Sequence, residues 1–447
     1  MKQSQNSSES GQVLVILVLV IVGLLAFTAL AIDGGLIFAD RRGAQNAADA
    51  SVLAGGYRTA NTLEDFNLNF NITYQNWNCS EVQTILDTYA EEDALSQAAS
   101  NGYPIVGESV LDMTCEPGEN FGSYLDKYVD TDVQIVTQVD TAFVHFVFGG
   151  VLENTVQAIS RVRPRMPLAF GYAVYAHRDS CPNNNTGGIR FDGNNQVTIT
   201  GGGIMSDACI DANGSSLDVD VTGGNINYIT EYTPSGSPSV SPSPTQQLNK
   251  LPDWALLFSE PDCSDLPASS TNGDGTISAG VYSSGISVTG NEQLTLNPGL
   301  YCLDDDFTIN GNNDSYVIGS GVTIFMRNGD LTSNGNATVR LSAPNYVVTA
   351  NDGITGMLIY LGADNNGEVN LSGNSESYYS GTIFGVHEDS RIEVGGTGDL
   401  TSCYNNIPCF GTQLIAGTVK IHGNAVLDID FLSNAVYYLP ARLTLEK

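Results

Sequence analysis

The strongest constraint in this chain is an uninterrupted apolar run. Residues 13–32 read VLVILVLVIVGLLAFTALAI, 20 residues without a charge. As a helix that length crosses the ~30 Å hydrocarbon core of a bilayer. The predicted span has Val13, Leu17, Val20, Leu24, Phe27 and Ile32 along its length. A cleavable signal peptide is the competing reading, with Ala29, Leu30 and Ala31 as an A-x-A site. Signal peptides have shorter apolar cores and a basic start, whereas this start, MKQSQNSSESGQ, has one Lys. The run therefore predicts a retained, single-pass anchor in a cell membrane.

Everything beyond the run has a different character. Lys and Arg number 17 against 49 Asp and Glu, so the net charge is 17 − 49 = −32. Before position 43 the bases Lys2, Arg41 and Arg42 balance the acids Glu9, Asp33 and Asp40, so the excess lies downstream. A surface this acidic repels phosphate backbones, which excludes nucleic acid as a partner. Eight cysteines, Cys79, Cys115, Cys181, Cys209, Cys263, Cys302, Cys403 and Cys409, all follow the run, and none forms a C-x-x-C pair. They read as disulfides in an oxidising compartment. That places the N-terminus in the cytoplasm and the bulk of the chain outside it. Eight cysteines allow 105 pairings, among which sequence does not choose. The expectation adopted is pairing in chain order: 79 with 115, 181 with 209, 263 with 302, and 403 with 409.

The helix does not end with the membrane. After Gly34 and Gly35, Leu36, Ala39, Ala47, Ala50 and Ala54 recur near helical spacing. This predicts a helix running to about Ala54 and stopped by Gly55 and Gly56. A short polar start, Gly11-Gln12, the apolar run, Ala31-Ile32-Asp33, Arg41-Arg42, the stretch QNAADA (45–50) and Leu53-Ala54-Gly55 follow in that order. In order and spacing, residues 10–57 resemble the N-terminal segment of TadE/TadG-like proteins, which are pilin-like and associated with the tight-adherence (Tad/Flp) pilus. The resemblance implies a membrane anchor with an exported C-terminal part. Processed prepilins have Glu at the fifth position after the cleaved Gly. Here that position, counted from Gly11, is Ile16, which argues for an uncut anchor.

Residues 57–167 predict a small α+β head. Val82, Ile85, Leu86, Tyr89, Ala90, Ala94, Leu95 and Ala98 give one amphipathic helix over 82–99. Residues 132–139 and 155–162 alternate as strands, flanking the aromatic-rich AFVHFVFGG of 142–150. His145 within it reads as a packing residue rather than a metal ligand.

From 168 to 447 short alternating runs end in Gly-Asn pairs, at 193, 290, 311, 335, 373 and 423. Gly and Asn tolerate positive φ, so each pair marks a turn. The pairs at 290, 311 and 335 are 21 and 24 residues apart. A unit of that size cannot bury a core alone and must stack on its neighbours. The predicted fold is mainly β: a long N-terminal transmembrane, pilin-like helix (1–56), the head (57–167) and a C-terminal parallel β-helix (168–447). About ten coils at ~4.8 Å each make a rod of roughly 50 Å. A β-sandwich is the alternative. The Pro/Ser-rich stretch at 234–247 reads as a loop interrupting the rod. Its repeat type also resembles the β-helical part of some TadG-like envelope proteins.

No catalytic motif is present: no G-x-S-x-G, H-E-x-x-H, P-loop or dinucleotide fingerprint. His145, His177, His387 and His422 are isolated, and no von Willebrand D-x-S-x-S motif occurs. Asp304, Asp305 and Asp306 form one acidic cluster, a weak Ca²⁺ candidate that reads first as an exposed loop; adjacent strand residues face opposite ways, and Arg327 falls about one coil later. No cofactor is expected. Sequons begin at Asn71, Asn78, Asn184, Asn213, Asn313, Asn336 and Asn370. The expected role is non-catalytic: adhesion, or assembly with pilus or envelope proteins or copies of the chain, with surface glycans among the partners. A carbohydrate-active β-helix enzyme and a filament subunit packed through its N-terminal helix are the alternatives.

Overall fold

The computed structural model describes residues 10–66, 68, 79–143, 151–181, 188–345, 353–372, 376–401, 403, 405 and 407–446. His145, the sequons at Asn71, Asn78 and Asn184, and the Gly-Asn pair at 373 lie outside these residues.

One helix, α1 (Ser10–Asp65), runs from the apolar segment into the head. Gly55 and Gly56 do not stop it, contrary to the sequence expectation. They are contact points instead. A Cβ on Gly55 would meet the Ala94 methyl at 3.0 Å, and one on Gly56 would meet Leu443 at 2.5 Å and Ser160 at 2.8 Å. Glycine here lets backbones approach, and that packing outweighs its ~1 kcal/mol helix penalty. The expected helix at 82–99 is two, α2 (Cys79–Tyr89) and α3 (Glu91–Ser100), divided at Ala90. The division lets α2 pack on the sheet's first strand while Ser51 of α1 donates a 2.7 Å bond to the Ala94 carbonyl of α3.

The head sheet is antiparallel: β1 (Val110–Asn120), β2 (Leu125–Val139) and β3 (Leu152–Arg163), joined by Arg442–Glu446 at its edge. Ala44, Ala47, Ala48 and Val52 of α1 are buried on its Val133, Ile135, Val156 and Ala158. The last strand corrects the expected boundary. The rod does not reach the end of the chain, because Arg442–Glu446 pairs with β3 from Arg163 to Ile159. The head therefore holds the chain on both sides of the rod, at Leu152–Arg163 before it and at Arg442–Glu446 after it.

The rod is a three-sided parallel β-solenoid. Gly-Asn turns stack at a corner between two faces: Gly290, Gly311 and Gly335 are in register, as are Gly423 and Gly193, with Gly396 next to Gly423 in the same column. Gly335 has φ +86°, and a Cβ there would meet the Gly311 carbonyl at 2.6 Å. Both conditions select glycine.

Coils do not stack in chain order. Along one face the strands run Ala268–Ser269, Gly280–Tyr282, Gly299–Leu303, Val322–Met326, Met357–Leu361, Tyr378–Gly385, Phe410–Ala416, then Val174–Ala176, Ile204–Ser206, Ile226–Tyr228 and Thr245–Gln246. The chain enters at the middle of the rod and winds to one end by 246. It then returns to the far end and winds back to the middle by 430. The ten steps between those eleven strands cover ~48 Å. Residues 246 and 268 are 268 − 246 = 22 positions apart, a reach of at most ~79 Å extended, so a single strap (247–267) makes the return.

The strap explains a pattern in the sequence. Most rod strands alternate buried and exposed positions, but Gly299–Leu303, Val322–Met326, Met357–Leu361 and Phe410–Ala416 are buried at every position. Their inner side chains fill the lumen. Their outer ones, including Cys302, Phe325, Tyr360 and Ile415, together with Phe384 of Tyr378–Gly385, are covered by Leu251, Trp254, Ala255 and Phe258 of the strap. Phe258 lies 4.6 Å from the Tyr360 ring and 5.0 Å from that of Tyr437. The Pro/Ser-rich stretch is likewise not a loop. It forms Glu231–Gly236, Ser239–Ser241 and Thr245–Gln246, the last coil of that end. Its prolines suit an edge, since they remove donors that another chain would pair with.

Two outcomes follow from this packing. Gly56→Ala forces a methyl against Leu443 and Ser160 and should destabilise the full-length protein by about 1–3 kcal/mol. Gly34→Ala, which meets nothing within 4 Å, should cost nothing. Thermal unfolding in detergent micelles compares them. Removing the Cys263–Cys302 bridge, which closes a separation of 39 residues, with Cys263→Ser/Cys302→Ser should cost ~2–4 kcal/mol. Limited proteolysis of that variant should cut first within 257–266.

Candidate functional site: the anchor and its seat on the head

The helix α1 has two unlike halves. Val13, Leu17, Val20, Leu24, Phe27 and Ile32 are all exposed, and so is every other large apolar side chain from 13 to 32. Its most apolar window has mean hydropathy 3.2 and is 0% buried. A core helix of a soluble domain would be covered. From Ala44 onward the same helix is core.

Two carboxylates join these halves to the head. Asp33 is fully buried and accepts bonds from the backbone N–H groups of Ala142 (2.6 Å) and Phe143 (3.0 Å). Asp40 accepts from Asn154 (2.9 Å) and from the Thr137 hydroxyl, and the Tyr103 hydroxyl donates to its main-chain carbonyl (3.2 Å). Higher up, the Gln45 amide donates to the Gln157 carbonyl and the Ser160 hydroxyl to the Val52 carbonyl. β3 thus runs beside α1 with the β2–β3 hairpin pointing toward the apolar half. Sequence reasoning assigned Asp33 and Asp40 no role. The available signal was two acids beside a stretch otherwise apolar.

The cysteines form four bridges, Cys79–Cys115, Cys181–Cys209, Cys263–Cys302 and Cys403–Cys409. The first staples α2 to β1 and the third bolts the strap to the rod. Asp304, Asp305 and Asp306 do not converge. Asp304 pairs with Arg327 at 2.8 Å, Asp305 accepts from the Asp306 N–H at 2.9 Å, and Asp306 accepts from the Asp330 N–H at 2.9 Å. Among the described residues no group of three or more His, Cys, Asp or Glu is placed to hold a metal ion.

A strongly perturbed acid lies elsewhere. Asp207 is buried beside the strap and accepts a 2.7 Å bond from the Tyr175 hydroxyl. Burial pushes its carboxyl up to about 7, against the partial relief of the Tyr175 bond. Burial also lowers the nearby His177, whose Nε2 lies 2.8 Å from the Gly385 carbonyl.

An apolar helix exposed along its outer half and packed into a domain along its inner half fits a single-pass membrane anchor, here attached to a β-solenoid by a small α+β head. Residues 11–58 match the family model for putative Flp pilus-assembly TadE/G-like proteins. The helix is therefore TadE/G-like over residues 11–58, and the match ends before the head sheet and the rod. No curated protein and no solved structure matches the chain.

Asp207 gives a pH prediction. Its folded value, about 7, is raised above the ordinary 3.8, so between those values the folded protein holds a proton that the unfolded chain has released. Its contribution to stability therefore falls as pH rises from about 4 to about 7, by an amount on the order of 4 kcal/mol. Asp207→Asn should remove that slope. Melting temperatures of the two proteins across this window, read as a difference, check it; parallel curves would refute it.

Proposed function

We propose that this is a membrane-anchored envelope protein of the Tad-pilus type. The helix tethers it in the cell membrane with the N-terminus cytoplasmic. The head links anchor to rod, and the rod serves surface adhesion or assembly with pilus or envelope components, copies of the chain or surface glycans, without catalysis. The observation that carries the reading is the TadE/G-like helix itself, apolar and exposed for its first half and part of a folded head for its second.

Three further features support it. Eight bridged cysteines suit an oxidising compartment. The acidic rod repels anionic lipid headgroups and would stand off a membrane rather than lie on it. The acidic triplet that an enzyme reading would use is spread over an ion pair and backbone donors.

Labelling of intact cells with antibody to the rod, viewed by electron microscopy, tests the reading. Label is expected on the outer face of cells that have not been permeabilised. Label seen only after permeabilisation would reverse the orientation. Leu24→Asp places a charge mid-span at a cost of about 3 kcal/mol and should shift the chain out of the carbonate-resistant membrane fraction.

A further inference from the structure

The apolar surface of α1 does not end at Ile32. Leu36 is 44% exposed and Phe38 is 72% exposed. They stand two residues apart, about 200° around the helix, so a single partner helix could not cover both. Within the stretch from Val13 to Asp40 the acids are Asp33 and Asp40. Both turn inward, the first onto the Ala142 and Phe143 N–H groups and the second onto Asn154 and Thr137. The outward surface of the helix is therefore free of charged side chains for 40 − 13 + 1 = 28 residues. At 1.5 Å per residue that is ~42 Å, which exceeds the ~30 Å hydrocarbon core and matches the ~40–45 Å of a bilayer with its headgroup layers. The exposed Arg41 and Arg42 come next, where guanidinium groups can meet lipid phosphates.

The head continues this surface. Phe143 (44% exposed) is held at the level of Asp33 by its own N–H, and Val151 (53% exposed) leads into β3, whose Asn154 side chain donates to Asp40. Leu36, Phe38, Phe143 and Val151 thus form an apolar collar around the helix where it leaves the head.

Building on the anchor reading above, we infer that the collar is a lipid-docking surface: α1 is seated in the bilayer as far as Phe38, and the lower edge of the head rests in the headgroup layer. Lipid is the occupant because the collar is continuous with the span, surrounds the helix on more than one side, and is followed at once by the arginine pair. The buried Asp33 gains a function from this. An acid at that depth is costly in a bilayer when unpaired, and the two N–H donors from the hairpin satisfy it. The head is then fixed in height and rotation on the membrane, and the rod's attachment at the far end of the head sheet is held away from it. There the Tyr172 hydroxyl donates 2.5 Å to the Phe121 carbonyl.

Depth-dependent quenching tests this in the full chain. Phe27→Trp, Phe38→Trp, Phe143→Trp and Tyr57→Trp are reconstituted singly in phosphatidylcholine–phosphatidylglycerol vesicles. The lipids are brominated either near the carbonyl end of the chain or at its midpoint. The unsubstituted chain, with Trp77 and Trp254, supplies the background. The inference expects Phe27→Trp to be quenched by the midpoint label. Phe38→Trp and Phe143→Trp should lose roughly half their added emission to the shallow label, the depth of an interfacial side chain, and Tyr57→Trp should lose none. Quenching of Phe27→Trp without quenching of the two collar positions overturns the collar and leaves the anchor standing. Absence of quenching at Phe27→Trp removes the anchor as well. Collar emission that changes with protein density but not with brominated lipid assigns the surface to a second copy and also overturns the inference.

Discussion

The rod is a single body because Thr418–Asp430, near the end of the chain, pairs in parallel with Gly188–Gly193 and Gln196–Thr200, near the rod's beginning. That junction joins two stacks wound separately, 268–430 and 174–246. Without it each stack would expose an open edge and an uncovered lumen at the centre of the molecule. With it, the lumen core is continuous from Ile277 to Ile226. The strap is the covalent consequence, since a chain that starts and finishes at mid-rod must travel once along its outside. The apolar outer layer of the strapped face follows in turn.

The same junction fixes where the head sits. Because the chain both enters and leaves the rod at its middle, the segments on either side lie together. Met166–Pro167 pairs with Tyr438–Leu439, and β3 pairs with Arg442–Glu446. The head is thus tied to the rod by two chain passages, with Tyr124 and Tyr172 of the two parts in edge contact at 4.7 Å. Arg163 lies over the Trp254 ring at 4.2 Å and pairs with Asp126 at 2.9 Å, bringing strap and head sheet to one point. A hinge made of one strand would leave the rod free to swing. Two passages and a shared aromatic layer oppose that motion.

Within the head, small residues set the geometry. Ala44, Ala47, Ala48, Gly55 and Gly56 allow α1 to approach the sheet closely, and the approach brings Asp33 and Asp40 within hydrogen-bond range of the hairpin. Exposed surface and core alternate along a single helix. The exposed apolar surface and the segment that packs into the head core are consequently parts of one continuous helix.

The sequence by itself determined the elements whose cause is local. Twenty uncharged apolar residues specify a helix suited to lipid. Gly-Asn after alternating strands specifies turns, because few other residues adopt positive φ cheaply. A repeat of 21–24 residues requires stacking, and the order from Gly11 to Gly55 identified the TadE/G-like segment. Tertiary structure decided everything set by partners distant in the chain. The order of the coils is permuted because strands of one repeat type are interchangeable locally, so only the fit of 418–430 onto 188–200 selects it. The Pro/Ser stretch looked like a loop because a terminal coil has no outer neighbour and little burial to record in its sequence. Gly55 and Gly56 looked like a stop because the side chains that they receive, Ala94 for the first and Leu443 for the second, lie far along the chain. Asp33 had no legible role, because the Ala142 and Phe143 N–H groups that it accepts from lie more than a hundred residues away.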